Sequence, residues 1–275
     1  MSNHLNIVDG IFESASDYHD VTIATGATFQ LTGDITVSGN WVNNGTFTPG
    51  THNVTFDGPN WQTISGNNFF YDLTLNLGFP EITLNNDIVV LGSLDFYGDG
   101  AIDLNTYSID LRTGVSVSNA SNISHTRNGY VTKWFNNLDP FTYPNGDGSN
   151  YRPITLTSST TSSNVISVAY MFAAQNQSSL NSSLSSIETY GWDIQRFFGS
   201  DGLNITIPFD ASYSITDFNN LTIAMWNGTE WTELPSTVTG TAASGSVTTN
   251  SPVSDFSNYY FTLGYKSIPK TYVPD

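Results

Sequence analysis

The chain contains no cysteine and very little charge. With zero Cys in 275 residues there is no disulfide framework, so stability in an oxidising compartment has to come from sheet packing alone. Seven Lys and Arg stand against 24 Asp and Glu, a formal net charge of −17. No cluster of basic residues exists to neutralise phosphates, which excludes nucleic acid and anionic membrane surfaces as partners. Charged residues make up 11% of the chain, against about 25% in an average soluble domain. The wetted surface must therefore be built from Asn, Ser, Thr and Gly. No run of about 18 apolar residues occurs, which excludes a spanning helix and membrane insertion by that route. The opening Met1-Ser-Asn-His-Leu-Asn-Ile7 lacks the basic stretch and apolar core of a signal peptide. Either the protein is cytoplasmic or this is a piece of a longer chain, and nearly charge-free Ser/Thr/Asn-rich β sequence favours the second reading.

What is present is aromatic and repetitive. Hydrophobic residues reach 38% and aromatics 13%, enough for a large core. The run Leu31-Thr-Gly-Asp-Ile-Thr-Val-Ser-Gly-Asn-Trp41 returns as Leu84-Asn-Asn-Asp-Ile-Val-Val-Leu-Gly-Ser-Leu94. Gly45-Thr-Phe-Thr-Pro-Gly-Thr-His-Asn-Val-Thr-Phe56 returns as Gly100-Ala-Ile-Asp-Leu-Asn-Thr-Tyr-Ser-Ile-Asp-Leu111. A long repeat built from short strands is the mark of a β-solenoid, each repeat making two or three coils or hairpins. Alternation in Val21-Thr-Ile-Ala24, Ile35-Thr-Val37, Val54-Thr-Phe56 and Leu73-Thr-Leu-Asn-Leu77 turns one face inward and leaves Thr and Asn outward. Asn43-Asn-Gly45, Pro49-Gly50, Asp57-Gly58 and Asp99-Gly100 supply the corners. Trp61 and Phe69-Phe-Tyr71 are read as core or inter-coil packing, since large apolar rings dominate β cores; a ligand-stacking role would require exposure.

The texture changes near Asn122, where the domain boundary is placed: 1–122 a parallel β-helix-like solenoid, 123–265 an antiparallel β-sandwich, 266–275 a C-terminal tail. In the second part strands recur every 10–20 residues with turns between them. Asn227-Gly228 predicts a tight hairpin turn between Trp226 and Trp231. Residues 172–190 are Ser/Asn-rich and predict a long loop or one short helix.

Gly39-Asn-Trp-Val-Asn-Asn-Gly-Thr-Phe-Thr-Pro-Gly-Thr-His-Asn-Val-Thr-Phe-Asp-Gly58, with Gln62-Thr-Ile-Ser-Gly66 and Phe70-Tyr-Asp-Leu-Thr-Leu-Asn76, resembles the repeat unit of large secreted surface proteins of Bacteroidota. Phe141-Thr-Tyr-Pro-Asn-Gly146, Asn150-Tyr-Arg-Pro-Ile-Thr-Leu156, Trp192-Asp-Ile194 and Phe261-Thr-Leu-Gly264 resemble the domain that often follows those repeats. The resemblance implies an adhesin-like, repetitive protein exported by the type IX secretion system. The sorting domain that such proteins carry at the C-terminus is missing here, in keeping with a fragment.

Catalytic and binding chemistry is sparse. Asp34 and Asp87 occupy equivalent repeat positions and would line one face, but Asp at a recurring corner is also ordinary turn chemistry, bonding its own backbone. Hydrolysis of a glycan needs two flanking carboxylates, and a lyase needs a basic proton abstractor, which the solenoid half scarcely offers. His4, His19, His52 and His125 have no metal-ligand spacing. Calcium is the better metal expectation, with Asp139, Asn145 and Asp147 as oxygen ligands in one loop and Asp99 and Asp103 flanking Gly100, although a full Asp-x-Asp-x-Asp-Gly run is missing. Arg152, scarce by type, is expected to pair with a carboxylate in the second domain and lock the loop from Asp139 to Asn150. Trp226 and Trp231, with Trp134 and Trp192, are the candidates for a sugar-stacking face, at least two of the four being expected in the core.

These observations lead to a non-catalytic structural or adhesive module of a cell-surface protein: a rigid solenoid spacer with a sandwich that caps it, since an open solenoid end exposes unpaired strand groups. A carbohydrate-binding module is the alternative, and a polysaccharide-degrading enzyme the third reading. Extracellular glycans or neighbouring copies are the expected partners, and no cofactor is required.

Overall fold

Val21, Ile23, Ile35 and Val37 are fully buried while Thr22 and Thr36 between them are half-exposed, so the alternation read from the sequence is the alternation of the folded strands. The computed structural model describes residues 3–78, 81–256 and 259–268. Among them there is no α-helix, only short 3₁₀ turns at Ala211–Tyr213 and Phe218–Asn220. No helix is long and apolar enough to cross a membrane. The chain divides into two compact units: residues 1–136 with 144–152 and 165–169, and residues 137–143 with 153–164 and 170–275.

The first unit is a β-solenoid of about six turns. Each coil has three faces. The first face stacks Leu5–Ile7, Val21–Ile23, Trp41–Asn43, Gln62–Gly66, Ile82–Leu84, Ile102–Asp103 and Thr126–Arg127 in parallel. The second begins with Ile11–Ser14, Thr28–Leu31 and Thr46–Thr48, and the third with Ile35–Val37 and Asn53–Phe56. Strands Asn68–Leu75 and Ile88–Asp95 then run over the corner. Their leading halves lie on the second face and their trailing halves on the third, with the register shifting between Phe70 and Asp72. Ser108–Leu111 and Tyr130–Phe135 continue the second face, and Ser116–Ser118 the third.

Val21 pairs with Trp41 and Ile82 with Ile102, so a coil takes about 20 residues. The sequence repeat is therefore not a whole number of coils. Ile35 on the third face is written again as Ile88 on the second. What repeats is the strand-and-corner unit, which serves on any face. The parallel ladder also runs past Asn122, where the sequence put the boundary, through Thr126–Arg127 and Tyr130–Phe135.

Inside the coils, Phe29, Trp41, Phe47, Phe56 and Phe70 form one aromatic stack. Ring centroids are 4.7 Å apart for Trp41–Phe47 and 5.6 Å for Trp41–Phe70. Each such buried ring contributes about 1.5–3 kcal/mol relative to exposure. Polar side chains lace one coil to the next. Asp17 Oδ1 accepts from Thr36 N (3.0 Å), Asp34 Oδ1 from Asn53 N (2.9 Å) and Asp87 Oδ1 from Ser108 N (2.7 Å). Asp34 and Asp87 thus do play one local role, but at different corners, not along one face. Their acceptors serve the backbone of the following coil instead of their own turn.

The second unit is an antiparallel β-sandwich. One sheet runs Phe141–Tyr143, Ile154–Ser158, Leu203–Asp210, Ser244–Thr249 and Ser236–Thr241. The other contains Trp231–Leu234, Leu221–Trp226, Tyr259–Lys266 and Gly191–Phe198, with Leu184–Ile187 also pairing Tyr259–Lys266. Residues 172–190 hold that short strand and turns, with no helix. Lys266 closes a strand, and residues 269–275 of the expected tail lie outside the described residues.

Candidate functional site

Between the third face and the first the chain makes corners, among them 57–61, 96–101 and 119–125. Strand alternation does not govern a corner, so a large side chain there can point outward. Trp61 is 67% and Tyr97 70% exposed, and Ile123 is also exposed. Phe70 lies fully buried in the aromatic stack. The neighbouring aromatics Trp61 and Phe70 thus split between surface and core.

Along this edge the corners enclose a cleft of about 260 Å³, lined by Glu81, Asp99, Asn122, Ile123, His125 and Ser149. A shallower groove of about 420 Å³ adjoins it through Asp99, and Tyr97 and Asn119 form part of its wall. Three successive coils therefore contribute to one depression that runs along the solenoid axis.

The floor is rigid. His125 is buried, with Nδ1 3.1 Å from the Ser121 carbonyl and Nε2 accepting from Gly148 N at 3.2 Å. These partners put the proton on Nδ1 of a neutral ring, and burial pushes its pKa down. Arg127 binds Glu81 and, at 3.2 Å, Asp103. Burial raises the Glu81 carboxyl, and the Arg127 charge opposes that rise. Asn119 Nδ2 donates to Asp95 Oδ1 (2.6 Å), and Asn122 Oδ1 accepts from Tyr151 N (2.8 Å). Asp99, Asn119 and Asn122 themselves are exposed.

The loop 144–150 forms one wall, and Arg152 fastens it. Its Nε donates to Asp147 Oδ2 at 3.0 Å, and both residues are nearly buried. Arg152 thus has the expected kind of partner, a carboxylate, but the pair belongs to the first unit and not the second. Asp147 also accepts from Ser149 N (2.8 Å) and Asn150 N (2.6 Å). Burial pushes its carboxyl up, but these bonds and Arg152 outweigh burial and hold it below its ordinary value. Of the proposed calcium ligands, Asp147 is thus engaged by its own loop and by Arg152. Asn145 is buried, its Nδ2 donating to Val168 O at 3.4 Å. Asp139, in the second unit, accepts from Asn137 Nδ2 at 2.7 Å. Calcium takes six to eight oxygens, and no group of three or more His, Asp or Glu among the described residues is placed to hold a metal. Asp103 is likewise bound by Arg127 and Asn128.

Trp226 and Trp231 face each other across a hairpin in the second unit, with centroids 5.8 Å apart. Their loop spans 227–230, held by Asn227 Oδ1 accepting from Thr229 N and Glu230 N at 3.0 Å each. The rings are 6% and 0% exposed and pack on Ala174, Leu184 and Ala224. Trp231 Nε1 donates to Gln175 O at 2.7 Å. A sugar-stacking face needs open rings, and these are core. Trp192 is fully buried too, and Trp134 lies under Arg112, 4.5 Å from ring to guanidinium. The exposed aromatics Trp61 and Tyr97 left a legible trace: each sits inside a turn sequence, Pro59-Asn-Trp61 and Tyr97-Gly-Asp-Gly100, outside any alternating run.

Comparison of the chain with protein-family models, with curated proteins and with solved structures returns no match.

Proposed function

We propose that the chain is a non-catalytic structural and adhesive module of an extracellular cell-surface protein, with the solenoid as a stiff spacer that presents one corner edge for contact. The observation that carries this reading is the use of the recurrent carboxylates. Asp17, Asp34 and Asp87 each accept a backbone N–H from the following coil. Side chains that a glycosidase would aim at a scissile bond are here spent on joining coils. A dry aromatic stack and parallel ladders along the whole unit add stiffness. The likeness of the repeats to secreted Bacteroidota surface proteins supports the same location and export by the type IX system.

The test is incubation of the purified chain with neutral and acidic polysaccharides, reading new reducing ends and unsaturated products. No turnover is expected, while beads coated with the chain are retained on polysaccharide-coated surfaces. Accumulation of cleaved product at a rate proportional to protein concentration would sink the non-catalytic reading.

A further inference from the structure

A strand at the end of a sheet presents unpaired N–H and C=O groups, and proteins blunt such edges with short strands, proline, charge or cover. The sheet edges of the second unit differ on that ground. In the five-stranded sheet, Phe141–Tyr143 is three residues long and sits between Pro140 and Pro144. In the other sheet the terminal strand Trp231–Leu234 carries Glu233, paired with Lys266 at 3.3 Å, and Leu180 bridges to Trp231. Ser236–Thr241, at the far edge of the five-stranded sheet, has none of these protections. It is six residues long and carries no charge and no proline. It keeps unbroken register with Ser244–Thr249, its one strand neighbour among the described residues.

Asn250 N donates to the Pro235 carbonyl at 2.8 Å. Antiparallel pairs alternate, so Thr237, Thr239 and Thr241 turn their backbone groups towards Ser244–Thr249, while Ser236, Val238 and Gly240 turn theirs away from the sheet. Ser236 is buried, its Oγ accepting from Ile223 N at 3.4 Å. From Thr237 onward the strand opens: Thr237, Thr239, Gly240 and Thr241 are exposed and Val238 is half-buried.

This edge fits a second copy of itself. Its sequence is nearly symmetric about Val238, with Thr237 and Thr239 on either side, then the small residues Ser236 and Gly240. Two copies related by a two-fold axis through Val238 pair antiparallel, and Thr237 of each copy lies opposite Thr239 of the other. The sheet already joins its strands through such hydroxyl pairs. Thr142 Oγ1 lies 2.8 Å from Thr155 Oγ1, Thr206 Oγ1 2.9 Å from Thr248 Oγ1, and Thr239 Oγ1 2.9 Å from Ser246 Oγ. A hydroxyl donates once and accepts twice, so Thr237 and Thr239 keep capacity for a further bond, and cross-strand Thr pairs are favourable. The net charge of −17 repels like copies at long range, but none of that charge lies on this strand.

We infer that Ser236–Thr241 is a self-association edge: a second copy of the chain adds its own Ser236–Thr241 antiparallel, and the two five-stranded sheets continue as one. This rests on the adhesive reading above and names a neighbouring copy as the partner.

Sedimentation equilibrium of the whole chain over a concentration series tests it. The mass should rise from 30.0 kDa towards twice that value, and the dissociation constant should fall as salt screens the repulsion between copies. Thr237→Lys with Thr239→Lys sets like charges opposite each other in both pairs and should weaken the dimer about tenfold or more. Thr237→Lys with Thr239→Glu sets opposite charges there and should restore it. Both threonines are exposed, so both double variants should keep the melting temperature of the native chain. A mass of 30.0 kDa at every concentration, or a dimer held equally by the two double variants, overturns the inference. So does an affinity that falls with salt, which would put ion pairs and not this strand at the contact. None of these outcomes touches the non-catalytic reading, which product release in the turnover assay decides, or adhesion to polysaccharide, which bead retention reads.

Discussion

Trp41 Nε1 donates to Asn68 Oδ1 at 2.7 Å in the middle of the aromatic stack, and both side chains are fully buried. An indole N–H in a dry core needs such an acceptor. Asn68 Nδ2 in turn donates to the carbonyls of Ser65 and Gly66 at 3.0 and 3.1 Å, so one amide fastens the first-face strand to the start of the second. Asn68→Leu should destabilise the solenoid by about 1–3 kcal/mol, the cost of leaving a buried donor unmade. In a double-mutant cycle with Trp41→Phe, read by urea unfolding, the combined loss should fall short of the sum. Strict additivity would mean that the bond is not coupled to stability.

Gly66 and Gly26 separate two costs of replacing glycine. Both have positive φ, +88° and +86°. A Cβ at Gly66 would lie 1.8 Å from the Asn43 carbonyl oxygen of the preceding coil, whereas one at Gly26 meets nothing within 4 Å. Gly26→Ala should cost about 1 kcal/mol for backbone strain alone. Gly66→Ala should cost more than about 3 kcal/mol, since the coils must move apart. Equal melting temperatures for the two variants would contradict the coil spacing described here.

Lys133 points into the end of the solenoid and donates to the carbonyls of Arg112 (2.9 Å) and Val115 (2.8 Å). Burial holds its pKa down at about 8, only partly opposed by Asp110. The unfolded chain keeps that proton up to its ordinary value of 10.5, so between pH 8 and 10.5 the unfolded state binds more protons and stability rises with pH. From pH 8 to 10 the gain should approach roughly 2 kcal/mol. Above pH 10 Tyr151, pushed up to about 12 by burial, acts in the opposite sense. Urea midpoints measured at pH 8 and pH 10 should diverge in the native chain, and Lys133→Met should flatten the difference. An unchanged slope in the variant would assign the effect elsewhere.

The Asp147–Arg152 pair should govern acid sensitivity of the wall loop. Because the folded Asp147 carboxyl sits below its unfolded value, its contribution is complete above the ordinary carboxylate range and disappears as pH falls through the lowered one. Asp147→Asn should lower the melting temperature at pH 7, leaving the buried Arg152 uncompensated. The gap between variant and native chain should close as pH falls from 5 towards 2. A gap that stays constant over that range would argue that the ion pair contributes nothing.

Strand identity was legible because a period of two is a local property. Val21, Ile23, Val54 and Phe56 announce their burial by position alone. Coil length was not legible. The internal likeness of Ile35 to Ile88 reports a strand-and-corner unit that any of three faces can use, and only inter-coil pairing counts how many units close a turn. Arg152 was readable by scarcity, since a lone guanidinium entering a strand needs a carboxylate, and Asp147 was nearby in the chain. The corner depression was hidden because it draws on residues 81, 97, 99 and 122, brought together by stacking and not by sequence proximity. Trp226 and Trp231 misled for the matching reason: which side of a hairpin is covered depends on what packs over it.

The sequence by itself determined an all-β chain, a solenoid followed by antiparallel strands, and an excess of acidic over basic side chains. The tertiary structure alone decided which aromatics are core and which are edge, and whether each acidic side chain holds a coil or faces solvent. The physical reason is that alternation and turn chemistry act within a few residues, whereas exposure and partner choice are settled by neighbours about 20 residues away, one coil up or down.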